Sequence, residues 1–271
     1  MIIKRETNNN AWIRGSMTRN PSKAYKTSNL IGLISGVNIA ILTMFPLVVI
    51  YLRFIYSILF EKENKITANL RNMGMSMWSH YVSWIVWYNI VLFVTGLIWT
   101  LLVCIFLFSK VNPLFVFSLY YLPGSYFIAL ALFIHSFFTQ AKPGVLMALV
   151  LFFIQFATTI GQGNFSDPSE FLNIVMAISP ITGVSLVSNS FLLTQSNYQS
   201  FSFNLIFSDI NNFRYVYFVV LTVVQTFIFL FLGMYLDQVF PSEFGAKQHP
   251  LFLCGVKGNI FRRRAKVVIL F

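Results

Sequence analysis

Charge is what this chain has least of. Only 10% of its 271 residues are Asp, Glu, Lys or Arg, and 8 of them are acidic, where a soluble domain carries about a quarter charged residues. A surface so poor in charge cannot face water on all sides, so an ordinary soluble globule is excluded and lipid must be the solvent for much of the chain. Cysteine is scarce too. Cys104 and Cys254 have no metal-ligand spacing, and Cys104 lies inside an apolar run, where a small buried hydrophobe is the simplest reading. The first thirty residues are polar, with Lys4, Arg5, Arg14, Arg19, Lys23 and Lys26, and lack the short apolar core of a secretory signal. No GxxxxGKS/T, HExxH, CxxC or GxSxG occurs, so no phosphate-cradling loop, zinc-peptidase helix, dithiol pair or nucleophile elbow is offered. With no catalytic residues and no metal ligands to name, the chain reads as a non-enzyme.

What is present is apolar. Hydrophobic residues make up 57% and aromatics 18%, including 31 Phe, and the mean hydropathy is +0.72. The net charge of +11 does not point to nucleic acid. Its basic residues fall in the gaps between apolar runs, the placement expected of membrane flanks facing anionic headgroups. Crossing the hydrocarbon core takes about twenty apolar residues. Five runs qualify: residues 31–59, 83–109, 113–138, 143–161 and 215–236. Pro46 and Pro123–Gly124 interrupt two of them, breaks that lipid-embedded helices tolerate. The run 171–194 is uncharged but holds Asn173, Ser179, Pro180, Thr182, Gly183, Ser185, Ser188, Asn189, Ser190 and Thr194. Unpaired polar groups are costly in lipid, so this stretch suits a re-entrant or exoplasmic helical hairpin better than a span. The fold class expected is all-α: a polytopic integral membrane helical bundle of about five transmembrane helices plus that hairpin.

Charge also bears on orientation. Five spans with the N-terminus outside place 11 basic residues inside and 8 outside, while six spans with both termini inside give 13 and 6. Leaving out the six basic residues of the N-terminal segment, the counts become 11 and 2 against 7 and 6. The choice between the topologies therefore turns on whether another span precedes the N-terminal segment.

The link Glu61–Met75 reads as a short amphipathic helix. Glu61 and Glu63 open it, where a helix N-terminus favours negative charge, and Glu61 and Lys65 form an i,i+4 pair. Ile66, Leu70 and Met73 share one face, and Gly74 is placed to stop the helix. Such a helix either lies on headgroups or presents its apolar stripe to a cytosolic partner. Asp237 and Glu243, just after the last apolar run, read by themselves as solvated turn residues. His80, His135 and His249 have no acidic neighbour in sequence.

Two stretches resemble the A subfamily of ABC transporters. Over Phe60–Trp87 the family pattern is E-K-E, an amphipathic turn or two, M-G-L/M, then an aromatic and S-W. Glu61, Lys62, Glu63, Leu70, Met73, Gly74, Met75, Tyr81, Ser83 and Trp84 match it. Over Gly233–Phe252, Tyr235, Asp237, Val239, Pro241, Glu243, Phe244 and Gly245 match the strip that leads from a half-transporter's last span towards its ATPase. Ile178–Ser179–Pro180–Ile181 is similar to a segment in the family's short exoplasmic helices. The resemblance implies that Glu61, Lys62, Glu63, Ile66, Leu70, Met73 and Gly74 belong to a coupling helix resting on a nucleotide-binding domain. It implies an ABC-2 type transmembrane domain at 31–236 that works with a second such domain and carries lipids or other amphiphiles. Residues 1–30 would be the exoplasmic tail of a missing N-terminal part, and 237–271 a cytoplasmic C-terminal segment. ATP and Mg are expected only on the missing nucleotide-binding domain. The protein would be multi-pass, in the plasma membrane or an intracellular vesicle membrane, with the bilayer, not nucleic acid, as its surroundings. The competing reading is a self-standing six-span secondary carrier or membrane scaffold.

Asn164–Phe165–Ser166 is a glycosylation sequon that separates the two topologies, lumenal with five spans and cytosolic with six. A glycosidase-sensitive band shift, lost in Asn164→Gln, is the five-span outcome. A modified Asn164 excludes six spans.

Overall fold

In the computed structural model of the chain, residues 2–3, 13–14, 21–108, 111–162, 168–196, 201, 203–210 and 212–239 are described. Among them eight α-helices form: α1 (Pro21–Glu63), α2 (Ile66–Asn72), α3 (Met77–Phe106), α4 (Pro113–His135), α5 (Ala141–Gly161), α6 (Glu170–Met176), α7 (Pro180–Ser196) and α8 (Tyr215–Val239). Two two-residue strands near the N-terminus, β1 (Ile2–Ile3) and β2 (Ile13–Arg14), pair antiparallel and leave the all-α class intact.

The helix starts follow local chemistry. Ser76 accepts a hydrogen bond from the Ser79 amide to cap α3. Asn112 caps α4 through the Leu114 amide, with Pro113 in the first helical position, where its missing N–H costs nothing. Helices α1 and α4 run through Pro46 and Pro123 without ending. Among the described residues five helices are long and apolar enough to cross a membrane, spanning Val37–Glu63, Trp78–Phe106, Pro113–His135, Ala141–Gly161 and Tyr215–Asp237. All five expected spans are found, with shifted ends. Polar residues lengthen a helix that hydropathy alone cuts short, so α1 starts at Pro21 instead of 31 and takes in residues assigned to the tail, and α3 starts at Met77 instead of 83. Conversely α4 ends at His135 instead of 138 and α3 at Phe106 instead of 109.

The most buried span is α4, packed against α1, α3 and α8. The α4–α8 contact is tight enough to require a residue without a side chain. A Cβ on Gly233 would lie 2.8 Å from the Leu132 carbonyl carbon and the Phe133 nitrogen, and backbone cannot step aside as a side chain can.

The polar run 171–194 becomes two helices. The pair enters and leaves at one end of the bundle: Tyr217 of α8 donates to Glu170 at 3.0 Å, and Phe191 meets Tyr215 with ring centroids 6.3 Å apart. Between them the turn reaches inward. Gln225, about 15 Å along α8 from its first residue at the helical rise, donates to the Ile178 carbonyl at 3.0 Å. Ser179 donates to the Gln155 carbonyl of α5 at 3.3 Å. Helix α7, which a six-span topology needs as a span, has 17 residues and is not among the five apolar helices. It lies inside the bundle against α1, α4, α5 and α8.

Rings gather at this same end. Phe115 lies 5.3 Å from Phe201 and 5.3 Å from Tyr215, and Phe191 lies 4.6 Å from Phe201 and 5.6 Å from Phe108. On the exposed loop before α8, Asp209 pairs with Arg214, whose guanidinium holds the Asp209 carboxyl below its ordinary range.

Because the α4–α8 backbones leave no room for a methyl group, Gly233→Ala should lower stability by about 1–3 kcal/mol, the usual cost of overpacking. Thermal unfolding of the detergent-solubilised chain checks this, with Gly161→Ala, where the space is open, as the silent control.

Candidate functional site

At the end of the bundle opposite the rings, three consecutive residues of α1 are each bound to a different part of the molecule. Glu61 Oε2 accepts from Trp84 Nε1 at 3.1 Å and lies 3.5 Å from His80 Nε2, both on α3. Lys62 Nζ donates to the His135 carbonyl, the last residue of α4, at 2.9 Å and to Asp237 Oδ1 of α8 at 3.0 Å. Glu63 Oε2 accepts from the Ala141 amide, the first residue of α5, at 2.9 Å. Successive residues on a helix point about 100° apart, and that divergence lets one turn of α1 reach four neighbours.

Each charge meets a helix end of the opposite sign. The carbonyl end of α4 carries partial negative charge and receives the ammonium, while the amide end of α5 carries partial positive charge and receives a carboxylate. Gln140, the residue in the α5 cap position, makes no side-chain cap, so Glu63 caps that helix from outside. Asp237 is enclosed further. The Tyr81 hydroxyl donates to it and His135 Nδ1 lies 3.7 Å away. The side chains of Lys62 and Asp237 are 15% and 8% exposed, so their attraction is little screened by water. We refer to this arrangement as the clamp.

Directly after the clamp the helix breaks. Lys65 takes a left-handed backbone, φ 59°, and α2 follows as a seven-residue helix. Gly74, with φ 95°, ends it: the Met75 amide bonds back to the Leu70 carbonyl at 3.1 Å, the six-to-one bond of a Schellman closure that a left-handed glycine permits. Two expectations are corrected here. Glu61 and Glu63 close α1 instead of opening the link helix, because their carboxylates have partners on α3 and α5. Lys65 is not one turn below Glu61, because the left-handed residue interrupts the helix. On the link, Ile66 at the start of α2 and Met73 just past its end are exposed, Met73 at 83%, and Leu70 is half-buried.

Asp237 is no solvated turn residue, being buried at the end of α8. Tyr235 and Val239 lie on α8 beside it, while Pro241, Glu243, Phe244, Gly245 and Asn164 fall outside the described residues. The two stretches that carry the family resemblance, far apart in sequence, meet in the clamp through Lys62 and Tyr81 on one side and Asp237 on the other. Sequence reasoning missed His80, His135 and the α5 amide, because their partners are distant along the chain.

The profile of a family described as ABC-2 family transporter protein matches residues 4–235. The chain belongs to that family. Among its relatives, ABC transporter A family member 7 of Dictyostelium discoideum is 27% identical over 224 residues, which cover 79% of this chain and 25% of that protein. The human Cholesterol transporter ABCA5 is 25% identical over 196 residues, covering 71% of this chain and 12% of that protein. The mouse ATP-binding cassette sub-family A member 17 is 22% identical over 217 residues, covering 76% and 12%. The chain thus spans a quarter or less of the length of these relatives. It is an integral, multi-pass ABC-2 transporter membrane domain, with the clamp at one end of its five apolar helices.

Removing one partner of a buried ion pair strands the other, which typically costs about 3–5 kcal/mol, whereas removing both is often neutral. Asp237→Leu and Lys62→Met should each unfold well below the unmodified chain, and the double variant should recover most of the loss. Melting curves of the three variants in one detergent read this directly.

Proposed function

We propose that this chain is the membrane-spanning part of an ATP-driven A-subfamily transporter of lipids or other amphiphiles, with α2 as the helix that a nucleotide-binding domain pushes. The clamp is the observation that carries this reading. A short helix laid on headgroups has no need to be wired to four spans. Here the residues immediately before α2 are bonded to α3, α4, α5 and α8, so a displacement of α2 reaches all of them through one turn of α1. The exposed side chains of Ile66 and Met73 supply the apolar stripe that a partner would cover.

The clamped end is cytoplasmic in this reading. By sequence position, 11 basic residues lie on its side against 2 on the other beyond the N-terminal segment, the asymmetry expected of cytoplasmic loops. The α6–α7 pair then dips in from the exoplasmic side. ATP and Mg act on the nucleotide-binding domain, and a second membrane domain completes the pathway. ATP-linked closure of the paired ATPases would move α2 and tilt the spans between two packings, a rigid-body transition of the ordinary kind. The membrane is the plasma membrane or that of an intracellular vesicle.

The test is association. The chain in lipid nanodiscs, mixed with a purified nucleotide-binding domain from an A-family relative, should bind it. Replacing the exposed pair, Ile66→Asp with Met73→Asp, should weaken binding about tenfold or more, as loss of central apolar contacts does, without moving the melting temperature. Undiminished binding by that variant would overturn the assignment of α2.

A further inference from the structure

The face of α7 turned away from α8 is polar. Thr182, Ser185, Ser188 and Asn189 fall within about 120° of one another at 100° per residue. Gly183, Val187 and Phe191 occupy the opposite side, where a Cβ on Gly183 would stand 2.7 Å from the Phe218 ring of α8. Thr182 is hydrogen-bonded to Thr158 and Thr159 of α5 at 3.0 and 3.2 Å, so the polar face looks towards α5, and α1 packs on α7 as well. The rest of that face finds no hydrogen-bond partner among the described residues. Ser185 Oγ, Ser188 Oγ and both amide atoms of Asn189 have no hydrogen-bond partner among the described residues, although these residues are 1%, 0% and 0% exposed. Gln162, at the end of α5, is also fully buried with both amide atoms unbonded.

Buried polar atoms without partners destabilise the packing that encloses them, so a run of them on one helix face calls for something that bonds to them. Its chemistry is set by the donors. Serine hydroxyls and a primary amide both give and accept hydrogen bonds, and a hydroxyl group answers both. A charged group would need a counter-charge, and α7 carries no Asp, Glu, Lys or Arg. The position fits as well. The helix begins beside the Gln225–Ile178 contact, about 15 Å in from the start of α8, and climbs to the ring cluster at the bundle end.

We propose that the Thr182–Ser185–Ser188–Asn189 face of α7 is an intramembrane strip that binds the neutral, hydroxyl-bearing headgroup of an amphiphile, and that the headgroup enters when α7 parts from α1 and α5. The strip rests on the reading of the chain as the membrane part of an amphiphile transporter, and it adds the chemical class of headgroup and the residues that meet it. Opening exposes the unbonded atoms to the ligand, so the ligand favours the open packing by the difference in bonding between the two states.

The experiment is photolabelling of the full chain in phosphatidylcholine nanodiscs, with a diazirine-bearing diacylglycerol or the matching diazirine-bearing phosphatidic acid. Diacylglycerol should label the 180–196 segment about tenfold more than phosphatidic acid, the discrimination available from one or two hydrogen bonds. The combination Ser185→Ala, Ser188→Ala, Asn189→Leu should cut that labelling by a similar factor and leave labelling of α3 unchanged. It should melt no lower than the original chain, because unpartnered polar groups have been removed. Ser185→Ala and Ser188→Ala singly give the same readout with less disturbance of packing. Equal labelling of α7 in all variants, or labelling by phosphatidic acid as strong as by diacylglycerol, overturns the strip. So does absence of α7 labelling while Ser185→Cys reacts with a water-soluble methanethiosulfonate, since the face would then hold water alone. None of these readouts needs an ATPase. Loss of the strip with nucleotide-binding-domain association intact refutes the strip alone, and the reverse pattern refutes the coupling role of α2 alone.

Discussion

An ammonium group inside a bundle of apolar helices has to find its counter-charge within a few ångströms, and the Lys62–Asp237 contact is where this protein meets that requirement. Because the same ammonium also takes the last carbonyl of α4, and the residues on either side take α3 and the first amide of α5, the demand of one buried charge fixes where four helices end. Apolar packing between lipid-embedded helices is not directional, since lipid tails are as apolar as leucine. The clamp supplies the direction. It defines one end of the bundle and sets the place from which α2 departs.

The other end is held by different means. Rings contributed by α4, α7, α8 and the residue Phe201 interlock there, and the α6–α7 pair is tied by hydrogen bonds to Gln155, Thr158 and Thr159 of α5 and to Tyr217 and Gln225 of α8. Ring contacts of this kind are individually modest, about 0.5–1.5 kcal/mol beyond burial, and they permit sliding in a way that a short ion pair does not. In the proposed reading, motion is transmitted at the clamped end, and α7, whose Ser185, Ser188 and Asn189 have no hydrogen-bond partner among the described residues, parts from α1 and α5 at the other. That division is the physical basis for assigning transmission to the first and headgroup contact to the second.

Hydropathy was enough to find the five helices that, among the described residues, are long and apolar enough to cross a membrane, and to mark 171–194 as more polar than they are, because lipid imposes a length and a composition that a sequence must show. Helix ends were less legible. Polar residues such as those of Pro21–Leu30 propagate a helix as well as apolar ones do, so α1 began earlier than its apolar run. Glu61 and Glu63 were misplaced by a local rule, acidic residues at a helix start, when both had been recruited by helices distant in sequence. Asp237 shows the same limit from the other side. Nothing in its neighbours reveals that Lys62, Tyr81 and His135 surround it. Only the family resemblance singled out Lys62, Tyr81 and Asp237 together, and it did so without saying that they touch.

The clamp also acts on the rotation of α1. Its three residues are consecutive and point in three directions, so their match to α3, α4 with α8, and α5 holds for a single rotational phase of the helix. A one-residue deletion anywhere between Val37 and Phe60 turns everything upstream by about 100° relative to the clamp, presenting the wrong flank of α1 to α5 and α7. Turning the clamp instead puts the lysine where a carboxylate was and sets like charges against one another. Outside the clamp the helix can therefore change its residues one at a time, but its length between the two ends of the bundle is locked by arithmetic.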